Sequence, residues 1–179
     1  LKENDLRMGL EFSGVNILTK ERIFGFGSQT IATHTNAYYS FPTPEHLSDE
    51  EAATIPVVYL TAYYSLFQKA NIKKGQSILI HAGAGGVGLA AITVAQSHGL
   101  NIFTTCSSKK RQFLKDRFGL KDFQIGDSRS DNFVDTVLKG TNQRGVDVVL
   151  NQLAGELQVA SLRCLAPGGN FCEIGKYDV

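Results

Sequence analysis

The sequence predicts an α/β fold, in which a doubly wound parallel sheet is joined to part of a β-rich domain. Two observations lead to this prediction. From residue 76 onward, short apolar runs alternate with longer segments whose apolar residues recur at helical spacing. Before residue 42, runs of β-forming residues are separated by glycine and asparagine. Regular alternation of strands and helices gives right-handed βαβ units and therefore a parallel sheet.

The first part of the chain, residues 1–41, is predicted to be β-rich. Its strand-like runs include residues 31–33 and 37–39. The Phe-Pro-Thr-Pro run at 41–44 indicates a boundary, because proline fixes its own φ and biases its predecessor toward extended structure. A second domain is therefore expected over residues 42–179.

A helical region is predicted at the start of the second domain. Ser48 and Glu51 have the spacing of a capping box, which marks a helix N-terminus. The apolar and aromatic run over 57–67 predicts a buried helix, in which Tyr63 and Tyr64 are expected to pack in the core.

The parallel sheet is predicted to contain five strands, with no internal sequence repeat. Gly99 and Gly119 suit the positions just after two helices, and the Pro-Gly-Gly run at 167–169 is expected to end the last helix. We expect strands over residues 77–81, 101–105, 122–125, 146–150 and 170–174, and helices over 86–98, 109–118, 132–139 and 156–165.

Composition excludes several classes of function. The chain has 179 residues, 42% of them hydrophobic, and a net charge of +1, which excludes a strongly basic nucleic-acid binder. No apolar run approaches the ~20 residues of a membrane span, and no signal-peptide pattern is present. The three cysteines are too few for a disulfide framework, so we expect a reducing, cytoplasmic location. Because the chain begins without methionine and stops directly after a strand-like run, we also expect a fragment of a longer protein.

A glycine-rich loop follows the first predicted strand of the sheet and opens the next helix. It has the spacing Gly83-x-Gly85-x-x-Gly88, which in this context is typical of a dinucleotide site. Gly83 is expected to permit the tight turn, Gly85 to let a pyrophosphate approach the backbone, and Gly88 to let the helix pack on the strand. The alternative is a glycine-rich turn without a ligand. The predicted loop contacts are Gly83, Ala84, Gly85, Gly86, Val87 and Gly88.

The residues after the second strand indicate NADP rather than NAD. An NAD site usually has an acidic residue there, ~20 residues past the loop, to bind the ribose hydroxyls. Here Ser107 and Ser108 precede three cations at 109–111, and residues 104–111 contain no acid. Cations in a first helical turn oppose the helix dipole, so a bound 2′-phosphate explains them better than a solvated surface does.

These residues resemble a known family. The segment 75–99, with its Ile-His-Ala-Gly-Ala-Gly-Gly-Val-Gly core, resembles the medium-chain dehydrogenase/reductase superfamily. Within it, residues 55–64, residues 147–156, and residues 163–166 with 173–178 resemble the enoyl reductase domain of animal-type fatty acid synthase. Polyketide synthase reductases share the first two segments.

The resemblance implies a zinc-free enoyl reductase of fatty acid synthesis. In such proteins a Rossmann-type NADP-binding part is inserted into a GroES-like substrate part, so residues 1–41 would belong to the latter and 42–179 to the former, without its last strand. The implied reaction is NADPH-dependent reduction of a trans-2-enoyl thioester, by hydride transfer to the β-carbon and protonation of the α-carbon. The implied partners are an acyl carrier protein bearing an enoyl-phosphopantetheine, other synthase domains, and a second copy in a homodimer.

The resemblance also argues against a metal. Zinc-dependent relatives carry a Gly-His-Glu motif where this sequence has Gly9-Leu10-Glu11, so the imidazole is replaced. The four histidines have no metal-ligand spacing, and no closely spaced cysteines supply a structural site.

Two catalytic candidates follow from the resemblance. Lys110 matches a family lysine that is a proton donor or only a cofactor contact, and both readings stay open. An acid follows in polyketide-type reductases within a Ser-Arg-x-x-Asp-Phe pattern. Here its position holds Asn132, and Asp131 lies one place earlier as a substitute acid or as a helix N-cap.

The remaining implied contacts are with the cofactor. Thr61 matches a helix threonine near the nicotinamide, and its alternative is a bond to its own backbone. The others follow strands, at the edge that faces the cofactor in an open α/β sheet. Lys176 has a solvent-facing cation as its alternative. The cofactor contacts outside the loop are Thr61, Ser107, Ser108, Lys110, Arg129, Asn151, Leu153, Gly175 and Lys176.

Other functions remain open on the sequence alone. A polyketide synthase reductase or a free-standing quinone reductase would share the fold and the cofactor. A non-catalytic structural module of a synthase would share only the fold, and it would not bind NADPH.

Overall fold

The computed structural model describes residues 8–175. The chain divides into two compact units, and the boundary along the chain falls between Leu60 and Thr61, inside a helix. The sequence predicted a domain boundary at 41/42, where the proline-rich run lies; that domain assignment stays a prediction.

The first unit contains a three-stranded antiparallel sheet, as the β-rich pattern predicts. Its strands are β1 (Glu11–Val15), β2 (Arg22–Gly27) and β3 (Ala37–Pro42), in the order β1-β2-β3. The predicted strand at 31–33 is wrong, since the chain turns there. Gln29 has a φ of 60°, and the Ala32 N–H donates to the Thr30 carbonyl across a tight turn.

A short helix, α1 (Asp49–Ala53), follows the first sheet. Its predicted capping box is confirmed, because the Ser48 hydroxyl accepts from the Glu51 N–H while the Glu51 carboxylate accepts from the Ser48 N–H. These reciprocal bonds satisfy amide groups that the first turn of a helix leaves without partners.

The next helix, α2 (Pro56–Tyr63), continues into a π-helical segment, Tyr64–Lys69. The predicted buried helix is correct in position but wrong in burial. Tyr63 and Tyr64 are 48% and 49% exposed, so the prediction that they pack in the core is also wrong. Tyr63 stacks on Phe67, and the Lys69 ammonium lies over the Tyr64 ring. The apolar residues of this run are spread all round the helix, so the sequence does not reveal which of its faces is covered.

The second unit is built on a five-stranded parallel sheet with the order β6-β5-β4-β7-β8. This order confirms the predicted doubly wound α/β class, because the chain starts in the middle strand and winds outward in both directions. Its elements are β4 (Ser77–Ile80), α3 (Gly86–Ser97), β5 (Asn101–Cys106), α4 (Ser108–Phe118), β6 (Ile125–Asp127), α5 (Phe133–Gly140), β7 (Val146–Asn151), α6 (Glu156–Leu162) and β8 (Leu165–Glu173).

The core lies between the sheet and its helices. Strands β4 and β7 are buried along their whole length, which explains their continuous apolar runs. Phe133 of α5 is fully buried in the same cluster as Leu79 and Val149. Gly99 and Gly119 end α3 and α4 with a φ of 67°, the left-handed conformation that their positions predict.

Three elements of the second unit, β6, α6 and β8, have a boundary at least three residues from the prediction. A 3₁₀ turn (Asp122–Gln124) replaces the start of the strand predicted at 122–125, because the Gln124 side chain bonds the Lys121 N–H and the Ile102 carbonyl. Helix α6 ends at Leu162 rather than at 165, and the Pro-Gly-Gly run at 167–169 lies inside β8. Gly168 has a φ of 75° there, which permits the bulge that shifts the register against β7.

No helix within residues 8–175 is long and apolar enough to cross a membrane.

Candidate dinucleotide-binding site

The glycine loop lies between the end of β4 and the start of α3, as predicted. Packing within the protein requires two of its three glycines. A Cβ on Gly83 would lie 2.0 Å from Thr104 Oγ1, and a Cβ on Gly88 would lie 2.4 Å from the Ala82 carbonyl oxygen. The close helix packing expected at Gly88 is therefore present. The strained turn lies elsewhere than expected: Ala82, with a φ of 47°, makes it instead of Gly83.

Gly85 is the glycine of the three that the protein's own packing constrains least. It is the N-cap of α3, with a φ of −95° and a ψ of 171° that any residue can adopt. A Cβ there would meet only the Ala82 carbonyl oxygen, at 3.2 Å. Serine, asparagine or aspartate would cap the helix better than glycine, yet no side chain caps α3. The exposed Gly85–Gly86 backbone is thus an open helix N-terminus, which attracts an anion.

A second helix N-terminus follows β5. Ser107 is the N-cap of α4 and makes no side-chain cap bond, while Ser108 is exposed. Lys109 and Lys110 are exposed too, and within the described part of the chain neither has an ion-pair partner. Arg111 differs from them, since its guanidinium bonds the Asp122 carbonyl oxygen at 3.2 Å. Two of the three predicted cations therefore remain available for a ligand.

The residues after β6 form a separate pair of contacts. Arg129 is exposed, and its backbone N–H donates to the Asp127 carboxylate at 3.0 Å. The Asp131 carboxylate accepts from the Arg163 guanidinium at 3.0 Å. The alternative that Asp131 caps a helix is wrong, because the N-cap of α5 is Asn132.

Glu173 joins the ends of β7 and β8 through its carboxylate. Asn151, which is fully buried, donates to Glu173 Oε2 at 2.6 Å and to the Leu153 carbonyl at 2.8 Å. The Gln158 amide and the Gly175 N–H donate to the same carboxylate. Asn151, Leu153 and Gly175 were predicted site residues, whereas Glu173 was missed. Its carboxylate accepts from Asn151 and Gly175, and Asn151 in turn bonds Leu153. The signal available in the sequence was that β7 and β8 each end in a polar residue, Asn151 and Glu173.

His81 ends the first strand of the sheet and is only 2% exposed. Burial lowers the pKa of its imidazole to about 4, so the ring is neutral at pH 7. Its two ring nitrogens contact Thr105 Oγ1 at 3.1 Å and Ser161 Oγ at 2.8 Å. On the sequence alone, His81 was only one of four histidines without metal-ligand spacing.

The predicted residues thus gather mainly at one edge of the sheet. The glycine loop, Ser107–Lys110, Arg129, Asn151–Leu153 and Gly175 all follow the carboxyl ends of parallel strands. Thr61 is half-buried on α2, ahead of the sheet. Lys176 lies outside the described residues. The cofactor contacts and catalytic roles of all these residues stay predictions.

The residues present do not form a zinc site. Within residues 8–175, no three His, Cys, Asp or Glu side chains lie close enough together to hold a metal ion. Leu10, at the position of the imidazole ligand, is 65% exposed, and the Glu11 carboxylate accepts from the Val57 N–H at 2.8 Å.

The C-terminal half of the chain matches a protein family. Residues 86–178 match the family described as zinc-binding dehydrogenase. The highly reducing polyketide synthase dmxL2 of Cryptosporiopsis sp. is 45% identical over 174 residues, which cover 97% of this chain and 7% of that protein. The chain therefore spans less than a tenth of the length of this relative.

Solved structures share the fold over nearly the whole chain. The CurK enoyl reductase is 38% identical with a TM-score of 0.83, over 94% of this chain and 54% of that one. Mycobacterial Rv1454c, whose structure is a complex with NADPH, is 26% identical with a TM-score of 0.79, over 93% of this chain and 56% of that one.

Proposed function

The chain belongs to the zinc-binding dehydrogenase family, and from this premise we propose that it is the NADPH-binding segment of an enoyl reductase domain. We place that domain in a large multidomain synthase. The observation that carries the proposal is the open N-terminus of α3, where Gly85 leaves the first turn without a side-chain cap. Packing requires Gly83 and Gly88 far more strongly than Gly85, where a Cβ would meet one atom at 3.2 Å, whereas the approach of a pyrophosphate accounts for a glycine there.

The cations after β5 support NADPH over NADH. Lys109 and Lys110 lie at the start of α4, where their charges oppose the helix dipole, and among the described residues they form no ion pair. A 2′-phosphate at Ser107, Ser108 and Lys110 would neutralise that charge. Arg129, after the neighbouring strand, would add a third cation.

The bound cofactor would supply a hydride. The first turn of α3 would bind the pyrophosphate through its amides, and the carboxylate of Glu173 would hold Asn151, Leu153 and Gly175 in place for the nicotinamide side. Thr61 and Lys176 complete the proposed cofactor contacts. The proposal assigns zinc no role within residues 8–175, because no three His, Cys, Asp or Glu side chains there lie close enough together to hold it.

Lys110 and Asp131 are the proposed candidates for supplying the proton. Asp131 is already engaged, since its carboxylate is paired with Arg163 at 3.0 Å. Lys110 has no such partner within the described residues, so it is the stronger candidate of the two. Its role as a phosphate contact competes with this one.

The substrate we propose is a trans-2-enoyl thioester on an acyl carrier protein. The polyketide synthase relative and the CurK enoyl reductase support a polyketide-type synthase over the animal-type fatty acid synthase. The proposed partners are the carrier protein, the other synthase domains and a second copy of the domain. The proposed location is the cytoplasm.

The proposal is tested by measuring which substrate causes the oxidation of NADPH. In the complete synthase domain that contains this chain, an enoyl-pantetheine thioester should consume NADPH, and a simple quinone should not. Preferential reduction of the quinone would favour a quinone reductase. NADPH binding without either reaction would contradict the enoyl reductase assignment, and the absence of NADPH binding would favour a structural module.

A further inference from the structure

His81 lies in the middle of a chain of four buried or half-buried contacts. This chain of contacts runs from Ala82, at the start of the glycine loop, to Ser161 and Leu157 of α6. The Ala82 N–H donates to Thr105 Oγ1 at 3.2 Å, and Thr105 Oγ1 contacts His81 Nδ1 at 3.1 Å. On the other side of the ring, His81 Nε2 contacts Ser161 Oγ at 2.8 Å, and the Ser161 hydroxyl donates to the Leu157 carbonyl at 2.7 Å. All four contacts lie within the second unit.

The two ends of this chain of contacts determine where the protons lie. A carbonyl oxygen only accepts, so the single Ser161 proton points at Leu157, and Ser161 Oγ must accept from His81. The neutral imidazole therefore carries its proton on Nε2. Nδ1 is then an acceptor and receives the Thr105 proton, which leaves the Thr105 oxygen lone pairs facing the Ala82 N–H. No other neutral arrangement makes all four contacts hydrogen bonds.

Ala82 is where these bonds act on the loop. Its φ of 47° is a left-handed conformation that a residue with a Cβ adopts only when the surroundings impose it. Both backbone groups of the preceding residue are also bonded, because the His81 N–H donates to the Leu150 carbonyl and the Gln152 amide donates to the His81 carbonyl. The Ala82 carbonyl then accepts the Gly85 N–H at 2.8 Å, which sets the N-cap of α3.

We propose that His81 is a positioning residue for the proposed cofactor site. Held as the Nε2–H tautomer between Ser161 and Thr105, it accepts the Thr105 hydroxyl proton at Nδ1 and thereby turns an oxygen lone pair of Thr105 toward the Ala82 N–H. This bond maintains the left-handed turn from which the glycine loop and the open helix N-terminus begin. The inference rests on the proposed function for the identity of the ligand, but the tautomer and the turn are properties of the free chain.

Thr105→Val is the central variant, because valine keeps the shape of the fully buried threonine and removes only the hydroxyl. Thr105→Ser restores the hydroxyl. The matched control is Ser77→Ala, which removes a buried hydroxyl bonded to Asp147 at the opposite end of β4. We expect Thr105→Val to raise the Kd for NADPH about tenfold. Thr105→Ser and Ser77→Ala should stay within about twofold of the wild type.

Two measurements on the free chain test the turn independently of NADPH. Nitrogen-15 NMR of the His81 ring should show the proton on Nε2. The Ala82 and Gly85 amides should be protected from hydrogen exchange in the wild type and in Thr105→Ser, and lose this protection in Thr105→Val.

The outcomes separate the two proposals. An Nδ1–H tautomer, or an Ala82 amide that exchanges equally in wild type and Thr105→Val, overturns the positioning role. Equal NADPH affinity in wild type and Thr105→Val also overturns it. If the wild type binds no NADPH while the NMR results are as expected, the positioning of the turn is supported and the proposed function fails.

Discussion

The two edges of the parallel sheet both carry buried polar side chains, yet they use them in opposite ways. At the amino edge, the polar groups satisfy one another: Asp147 accepts from the Ser77 N–H and hydroxyl and from the Arg144 guanidinium. At the carboxyl edge, the bonds of His81 and Thr105 shape a loop that ends in an uncapped helix N-terminus. A closed network stabilises the fold, whereas an edge that leaves a helix N-terminus uncapped is available to a ligand.

At the amino edge, Asp147→Ala should have the largest effect on stability. The substitution leaves the Ser77 N–H buried without its acceptor and removes the partner of Arg144. We expect a loss of about 3 kcal/mol in the free energy of unfolding, measured by urea denaturation. NADPH affinity should not change, because the carboxyl edge is intact.

The control for this variant is Asp131→Ala, which removes an exposed arginine pair. Arg163 and Asp131 are 57% and 60% exposed, so their separation should cost less than about 1 kcal/mol. Equal losses in the two variants would show that burial at the amino edge has no special importance.

Acid should weaken the carboxyl edge by a comparable amount. The folded chain keeps His81 neutral, with a pKa of about 4 against an ordinary 6.5, while the unfolded chain takes up a proton below its ordinary pKa. The free energy of unfolding should therefore fall by about 3 kcal/mol as the pH drops from about 6.5 to about 4. An NMR titration of the His81 ring checks the cause. A midpoint near its ordinary pKa would contradict this account.

The amino edge should respond at lower pH. The hydrogen bonds from Arg144, opposed in part by burial, hold the pKa of Asp147 at about 2, below its ordinary 3.8. Its stabilising contribution is complete above the ordinary pKa and is lost as the pH falls through about 2. The two edges are therefore expected to weaken in different pH ranges.

Much of the second unit could be predicted from the sequence because its three central strands, β4, β5 and β7, are buried along nearly their whole length. Continuous apolar runs and glycines after helices located β4, α3, β5 and β7 to within one or two residues. The burial of the helix at 57–67 was predicted wrongly, since the spacing of its apolar residues carries no information on which side of the helix is covered. The β8 start was missed because a bulge at Gly168 lets a Pro-Gly-Gly run continue a strand.

The site could be predicted only where its signal is local. The spacing of Gly83, Gly85 and Gly88 located the loop, but the strain at Ala82 depends on Thr105, which is 23 residues away. The bond between Asn151 and Glu173 likewise spans 22 residues. Such contacts arise from the sheet order, which neither segment reveals alone.

Gly88→Ala should separate packing from binding within the loop. A Cβ there would lie 2.4 Å from the Ala82 carbonyl oxygen and 2.6 Å from Gly83 Cα, both backbone atoms that have little room to move. We expect a loss of about 2 kcal/mol in the free energy of unfolding. Gly14→Ala is the control, since nothing lies within 4 Å of its Cβ position. If both variants are as stable as the wild type, the close packing of the loop is wrong.

Gly85→Ala should affect binding more than stability. Its backbone conformation tolerates a side chain, but alanine is a poorer N-cap than glycine and its Cβ would lie 3.2 Å from the Ala82 carbonyl oxygen, so we expect a loss of about 1 kcal/mol in the free energy of unfolding, less than for Gly88→Ala. NADPH should bind about tenfold more weakly, because a methyl group would obstruct the approach of the pyrophosphate to the helix N-terminus. Fluorescence titration and urea denaturation of the same preparation check both parts. If Gly85→Ala binds NADPH with the Kd of the wild type, the approach of a pyrophosphate does not account for the glycine at this position.

A fluorescence titration of NADPH and NADH into the chain, repeated with Lys110→Ala, is the most direct test of the proposed NADPH site. The chain contains no tryptophan, so the nucleotide signal is free of energy transfer from indole. We expect NADPH to bind more tightly than NADH, and Lys110→Ala to weaken NADPH binding several-fold, up to about tenfold, without changing NADH binding. Lys139→Ala, an exposed lysine at the end of α5, is the control and should change neither. A folded chain that binds neither nucleotide, or binds both equally, would contradict the assignment of the carboxyl edge as an NADPH site.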